Sequence, residues 1–133
     1  MMRALLVALL LTACVAPPPA KTRPDQRPLA GTRWVMMMDD AARRSPTIEF
    51  REAGRASGFS GCNQWFAQVD RVGGGLRFDA IGMTRRACEP AAMEVERDFA
   101  DRLERTHAAQ VEEDTLTLTG EDGEAVARFE RVR

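Results

Sequence analysis

Apolar and polar residues alternate with a period of two in several short segments of the chain. The alternation is found in residues 47–51, 76–80, 115–119 and 125–130. Because successive side chains of a strand point to opposite faces, this pattern predicts half-buried strands. The residues expected to face the core are Ile48, Phe50, Leu76, Phe78, Ala80, Leu116, Leu118, Ala125, Ala127 and Phe129. Residues 34–38 form a continuous apolar run, which predicts a central strand covered on both faces.

One segment has the period of an amphipathic helix instead. From Pro90 to about residue 107, apolar side chains recur every three or four positions, at Ala92, Val95, Phe99 and Leu103. Acidic and basic residues occupy the other face at spacings of three and four, as is typical of ion pairs on a helix surface. The chain is therefore expected to have an α+β fold. We predict a curled antiparallel sheet, or partial barrel, of about seven or eight strands closed by this one helix.

The N-terminus has the composition of an export signal. Arg3 precedes an apolar run over residues 4–11, which is much shorter than the roughly 20 residues that a membrane-spanning helix needs. The run ends at Leu11-Thr12-Ala13-Cys14, which resembles the lipobox of bacterial lipoproteins. We expect residues 1–13 to be a removable signal peptide and Cys14 to carry lipid as the first residue of the mature protein. The alternative is an ordinary secretory signal that happens to contain a cysteine.

A tether is predicted between this anchor and the folded part of the chain. Residues 14–28 contain five of the seven prolines, and proline-rich segments favour extended conformations. The remaining residues, 29–133, suffice for one compact domain. The partner implied is a membrane, reached through the lipid. Val15 rather than Asp follows Cys14, which resembles lipoproteins sent to the outer membrane, so we expect the periplasmic face of that membrane.

The charge of the predicted domain argues against nucleic acid as a partner. From residue 29 onward there are 15 arginines and 19 acidic residues, a formal net charge of −4 with both signs interspersed. Nucleic-acid binding requires a basic face, and no such face is evident in the pattern.

The sequence offers little support for catalysis or for a bound metal. The one histidine, His107, falls at the end of the predicted helix, and no serine, aspartate or second histidine stands at a recognisable spacing from it. We therefore predict a protein that is not an enzyme and has no cofactor. Thioethers can bind Cu(I), but in a strand only Met36 and Met38 of residues 36–38 would share a face. Filling of the core is the favoured role for these methionines, and no metal site is predicted.

Two short motifs are not explained by strand alternation, and they carry a family resemblance. They are Ser-Gly-Phe-Ser-Gly-Cys-Asn at residues 57–63 and Thr-Arg-Arg-Ala-Cys at residues 84–88. With Gly-Thr-Arg-Trp at residues 31–34 and the helix around Glu96, they resemble the META domain family, which includes the HslJ-like heat-inducible envelope lipoproteins. The motif residues are Gly61, Cys62, Asn63, Thr84, Ala87 and Cys88. The resemblance implies a non-catalytic envelope protein linked to envelope stress or antibiotic tolerance.

Cys62 and Cys88 are the cysteines that remain once Cys14 is lipidated. Because export places them in an oxidising compartment, we expect a structural disulfide. Closing a loop of this size stabilises a fold by roughly 3 to 4 kcal/mol on the chain-entropy model. The alternatives are two buried free thiols or a redox-active pair, although the sequence has no Cys-x-x-Cys. Asn63 is expected to be structural, hydrogen-bonding its neighbouring backbone.

Two hypotheses of function follow from different classes. In the first, a crevice of the curled sheet, lined by Trp34, Phe59, Trp65 and Phe66, binds an apolar ligand, or the domain binds an envelope protein. These aromatic residues would equally serve to fill the core, and that is the favoured expectation. In the second hypothesis, the protein is a purely structural or assembly accessory of the envelope without a ligand pocket.

Overall fold

The computed structural model describes residues 28–40 and 44–133. Within these residues the structure has eight strands and one helix. They are β1 (Arg33–Met36), β2 (Thr47–Arg51), β3 (Arg55–Phe59), β4 (Gln64–Asp70), β5 (Arg77–Met83), α1 (Pro90–Glu104), β6 (Ala108–Glu112), β7 (Thr115–Thr119) and β8 (Ala125–Arg131). The predicted signal peptide, the lipidated Cys14 and the tether up to residue 27 lie outside the described residues. In the described ranges no helix has the length and apolar character needed to cross a membrane.

All eight strands belong to one antiparallel sheet, in the order β5-β4-β3-β2-β1-β8-β7-β6. Strands β1 to β5 follow one another as a meander, and β6 to β8 form a second one. The first strand joins the two halves by pairing with β2 on one side and with β8 on the other. The two edges of the sheet are therefore β5 and β6, and α1 is the connection between them. The predicted α+β architecture is confirmed.

The core lies on the concave face of the sheet, beneath the apolar stripe of the helix. Val95, Phe99 and Leu103 are the buried residues of α1, as its period predicts. The ring of Phe99 lies 5.5 Å from the ring of Trp65, which also contacts Phe78 at 5.9 Å. Each large apolar side chain buried in this way contributes roughly 1.5 to 3 kcal/mol. Helix packing and sheet packing thus share one core.

The curled sheet closes on itself at one point. The amide of Leu76, just before β5, donates to the carbonyl of His107, just before β6, at 2.9 Å. The helix ends before this contact, at Glu104 rather than near residue 107. Buried Thr106 satisfies a carbonyl left open at this end, since its hydroxyl donates back to the carbonyl of Arg102 at 2.8 Å. The two edge strands are thereby brought together where the helix ends.

Two of the predicted alternations are interrupted by β-bulges. Ala80 was expected to face the core, but it is exposed with a φ of 50°, where the β4–β5 register shifts. Ala125 is likewise exposed, and Val126 is buried in its place, at the register shift between β7 and β8. In each case an extra residue in one strand shifts the side chains to the other face.

The composition of residues 34–38 predicted a strand covered on both faces. In the structure this run is not covered on both faces. Strand β1 ends at Met36, and Met37 is 59% exposed because the convex face of the sheet is open to solvent here. Met36 is buried, and Met38 packs against the core from its edge. These two methionines fill the core.

The exposure of two phenylalanines provides a matched test of this arrangement. Phe99→Ala should lower the free energy of unfolding by about 3 to 5 kcal/mol, because Phe99 is fully buried between helix and sheet. Phe66→Ala removes the same atoms from a side chain that is 56% exposed, and should cost about 1 kcal/mol or less. Denaturant titration of the oxidised proteins measures both changes. Equal losses would contradict the placement of the core.

Candidate functional site

The motif segments meet beside the first half of α1. The turn between β3 and β4 contributes Ser60 to Asn63, the segment after β5 contributes Thr84 to Cys88, and the helix contributes Glu96. We call this group the polar cluster, and its side chains are those of Ser60, Cys62, Asn63, Thr84, Cys88 and Glu96. Three segments that are distant in sequence are joined in it. Ala87 is exposed and lies outside the hydrogen-bonding group.

Asn63 is the centre of the polar cluster. Its side chain is buried, and its amide nitrogen donates to the carboxylate of Glu96 and to the carbonyl of Arg86, both at 3.2 Å. Its amide oxygen accepts from the backbone of Arg86 at 2.6 Å and from the hydroxyl of Thr84 at 3.2 Å. This arrangement uses both donors and both acceptor positions of an asparagine. Asn63 therefore ties other segments together and does not merely bond to its own turn.

Ser60 and Glu96 complete the hydrogen bonding of the turn. Ser60 is fully buried, and its amide donates to the carbonyl of Asn63 at 2.8 Å. The hydroxyl oxygen of Ser60 accepts a hydrogen bond from the backbone amide of Asn63 at 2.9 Å. The same hydroxyl group donates a hydrogen bond to the carboxylate of Glu96. The carboxylate of Glu96 also accepts a hydrogen bond from the backbone amide of Asn63 at 3.0 Å.

The inward position of Glu96 differs from the expectation that the helix carboxylates form ordinary surface ion pairs. Two such pairs are indeed present, since Asp98 lies 2.7 Å from Arg102 and Asp101 lies 2.8 Å from Arg105. Glu96, in contrast, is half-buried and bonds to the turn. The signal for this was its place at the border of the apolar stripe, one turn before Phe99.

Gly61 allows the turn to lie directly on the helix. Its φ is 106°, a region that side chains with a Cβ rarely adopt. A Cβ built on Gly61 would lie 2.6 Å from Cγ1 of Val95, which is too close for real contacts. Glycine is thus required here both by the backbone and by the packing.

A disulfide between Cys62 and Cys88 crosses the polar cluster. The two Cα atoms are 6.0 Å apart and the residues are separated by 26 positions. Cys62 is buried on the core side, whereas Cys88 is half-buried just before the helix begins. The bond fixes the start of α1 to the β3–β4 turn, so covalent and polar contacts hold the same two elements together.

The chemistry available to the polar cluster is structural. The hydroxyl of Ser60 is engaged on both its donor and acceptor sides, and both sulfur atoms are in a disulfide. His107 lies at the other end of β5, where its ring nitrogen is 3.2 Å from the carbonyl of Arg105. Across residues 28–40 and 44–133, no three His, Cys, Asp or Glu residues are grouped so as to hold a metal ion.

The structure does not bring Trp34, Phe59, Trp65 and Phe66 into one crevice. Both tryptophans are buried, and each indole N–H has an internal acceptor: Trp34 donates to the hydroxyl of Thr32 at 2.7 Å, and Trp65 to a backbone carbonyl at 2.9 Å. Phe59 is half-buried beneath the guanidinium of Arg44. Phe66 follows Trp65 in β4, so its side chain lies on the opposite face.

A cleft lies on the solvent side of the polar cluster, between β5 and α1. It has a volume of about 680 Å³. Ile81 and Met83 line it from the strand, and Met93 and Ala100 line it from the helix. Asn63 and Glu96, which are bonded to each other, also line the cleft. Because the charged residues Arg85, Arg86 and Glu104 line it as well, the cleft is mixed in character.

The polar cluster predicts an unequal effect of two conservative substitutions. Glu96→Gln replaces a carboxylate that accepts from Asn63 and Ser60 with an amide, and should lower the free energy of unfolding by about 1 to 3 kcal/mol. Glu94→Gln makes the same change at an exposed position two residues away and should change it by less than about 0.5 kcal/mol. Thermal or denaturant unfolding of both variants checks this. A Glu96→Gln protein as stable as Glu94→Gln would argue against the role assigned to the carboxylate.

Solved structures of other proteins resemble the fold of this chain. The protein from Burkholderia xenovorans, solved by NMR, superposes with a TM-score of 0.67 at 23% identity, covering 96% of this chain and 99% of that one. A DUF4847 family protein from Bacteroides vulgatus, a crystal structure, gives 0.56 at 12% identity, covering 77% and 93%. At these identities the likeness shows the fold alone. None of the curated proteins matches the chain.

A family model provides the assignment that the structural likeness does not. The model of the META domain matches residues 27–133, which includes the whole sheet, the helix and every residue of the polar cluster. The match therefore covers most of the chain and agrees with the motif residues that meet at Asn63. The chain belongs to the META domain family.

Proposed function

We propose that this protein is a non-catalytic, lipid-anchored component of the bacterial cell envelope, and that its META domain acts through its surface as a structural or assembly accessory. The observation that carries the proposal is the state of the motif side chains. Asn63, Ser60 and Glu96 are bonded to one another, and the cysteines are bonded together. A motif used in this way preserves a shape and leaves no free nucleophile or base.

The anchor is supported by the sequence of the N-terminal region. The apolar run and the Leu-Thr-Ala-Cys sequence that ends at Cys14 have the pattern of a lipoprotein signal. One acyl chain would give only marginal binding, so durable anchoring requires the several chains that a lipoprotein cysteine receives. With Val15 after the cysteine, we place the protein at the periplasmic face of the outer membrane. A role in tolerance of heat or antibiotic stress is proposed from the family resemblance.

The alternative is a domain that binds an apolar ligand or a segment of an envelope protein. Trp34 and Trp65 are packed in the core, so such a ligand would have to use another place. The cleft between β5 and α1 is the place that this alternative would use, since Ile81, Met83 and Met93 present apolar surface there beside charged groups. Lipid that copurifies with the exported protein would support the alternative. Crosslinks to one envelope complex, with no bound lipid, would support the accessory role.

The mass of the native exported protein tests the anchor and the disulfide together. We expect residues 14–133 with the added mass of acyl groups, and a loss of two hydrogens relative to the reduced chain, because Cys62 and Cys88 are paired. Mass spectrometry before and after reduction measures both quantities. A Cys14→Ser protein is the control and should lack the acyl mass. An unmodified Cys14, or a chain that keeps residues 1–13, would refute the anchor.

A further inference from the structure

The end of the domain at which the tether arrives is formed by three neighbouring segments. They are residues 28–31, 51–55 and 69–77. The amide of Gly31 donates to the carbonyl of Phe50 at 2.8 Å, and the amide of Val69 donates to the carbonyl of Gly54 at 2.7 Å. We call these three segments the tether-end surface. Leu29 is buried in the core, so the point at which the chain enters the domain is fixed at this end.

The tether-end surface is basic, although the domain as a whole is acidic. It has four arginines (Arg51, Arg55, Arg71 and Arg77) and two acidic residues (Glu52 and Asp70), a net charge of +2. The other described residues have 10 arginines and 17 acidic residues, a net charge of −7. The charge of the domain is therefore polarised, with its positive end where the tether arrives.

Two of these arginines are available to an external anion. Arg55 and Arg77 are exposed, and in the described part of the chain no ion pair or hydrogen bond engages their side chains. Arg51, in contrast, lies 3.5 Å from Glu49 and bonds to the hydroxyl of Ser57. An exposed guanidinium without a partner favours phosphate, which matches its planar donor geometry.

Apolar groups accompany the arginines. Val72 is 71% exposed, the largest exposed fraction among the large apolar residues of the described chain. It lies in a loop with Gly73 and Gly74, where even an added Cβ would touch nothing within 4 Å. A cleft of about 430 Å³, lined by Leu29, Phe50 and Val69 among others, opens at the same surface. Basic residues around exposed apolar tips are typical of surfaces that bind at a lipid interface.

The basic surface has a definite boundary. The neighbouring cleft, which shares His107 with this end of the domain, is lined by Glu121, Asp122 and Glu124 and by one arginine, Arg105, which is paired with Asp101. An anionic surface would therefore be attracted to the tether-end surface and repelled by its neighbour. Attraction and repulsion together would orient the domain.

We infer that the tether-end surface docks on the phosphate headgroups of anionic phospholipids in the membrane that holds the anchor. The inference rests on the proposed lipid anchoring at Cys14, because a chain from residue 14 to residue 28 cannot extend beyond about 50 Å. That segment adds Lys21, Arg23 and Arg27 against Asp25. The domain is then held with its tether-end surface on the membrane and the acidic remainder turned to the periplasm.

The test uses the mature chain, residues 14–133, exported by means of an unrelated cleavable signal peptide. The substitution Cys14→Ser ensures that no acyl group contributes to binding. Phosphatidylglycerol-containing vesicles should bind it at low ionic strength, and phosphatidylcholine vesicles or high salt should abolish the binding. Arg55→Gln with Arg77→Gln should weaken the partition coefficient by roughly tenfold or more. The matched control, Arg97→Gln with Arg128→Gln, removes two exposed arginines from elsewhere and should not weaken it.

Three outcomes would overturn the inference. The first is binding that does not depend on anionic lipid. The second is an equal loss of binding in the control variant, Arg97→Gln with Arg128→Gln. The third is undiminished binding of the variant Arg55→Gln with Arg77→Gln, which would assign the binding to the tether. Val72→Ser should reduce the binding further and gives a second readout of the same surface. Unfolding midpoints of all variants verify that each is folded. The lipid anchor is judged separately by the mass of the native protein, so failure of one does not imply failure of the other.

Discussion

The contact between the β3–β4 turn and α1 is the constraint on which the rest of the structure depends. The sheet has two edges, and the helix must be held between them for the core to be covered. Gly61 brings the turn against Val95, Asn63 and Glu96 bond across the interface, and the disulfide fixes the start of the helix. These interactions differ in kind but join the same two elements. The loss of any one would loosen the cover over the core.

This constraint explains why the polar side chains of the motif are bonded to one another. A buried polar group that lacks a partner costs about 1 to 3 kcal/mol, so a cluster of this kind is stabilising only when every member is satisfied. Asn63 meets that condition with both ends of its amide. The function that we propose therefore lies with the surface of the domain. There the clearest asymmetry is one of charge, with a basic end at the tether and an acidic remainder.

The sequence was sufficient for five of the eight strands, the helix and the motif, because each depends on local periodicity or on residue type. It gave about the right number of strands but did not locate β3, β4 or β6. It was misleading at Ala80 and Ala125, since one extra residue in a strand reverses the alternation and leaves no trace in composition. Met37 was misplaced because an apolar run does not reveal whether the outer face of a sheet is covered. The border position of Glu96 on the helix was a local signal that it faces inward, but its partners lie more than 30 positions away and no local pattern identifies them.

The coupling between Asn63 and Glu96 tests the central claim most directly. A double-mutant cycle with Asn63→Ala, Glu96→Ala and the combined protein, all with the disulfide intact, measures it in the free energy of unfolding. If the two side chains join turn and helix, each single loss already breaks the link, so the combined loss should fall short of the sum by about 1 to 3 kcal/mol. Losses that add within about 0.5 kcal/mol would show independent roles and contradict the account.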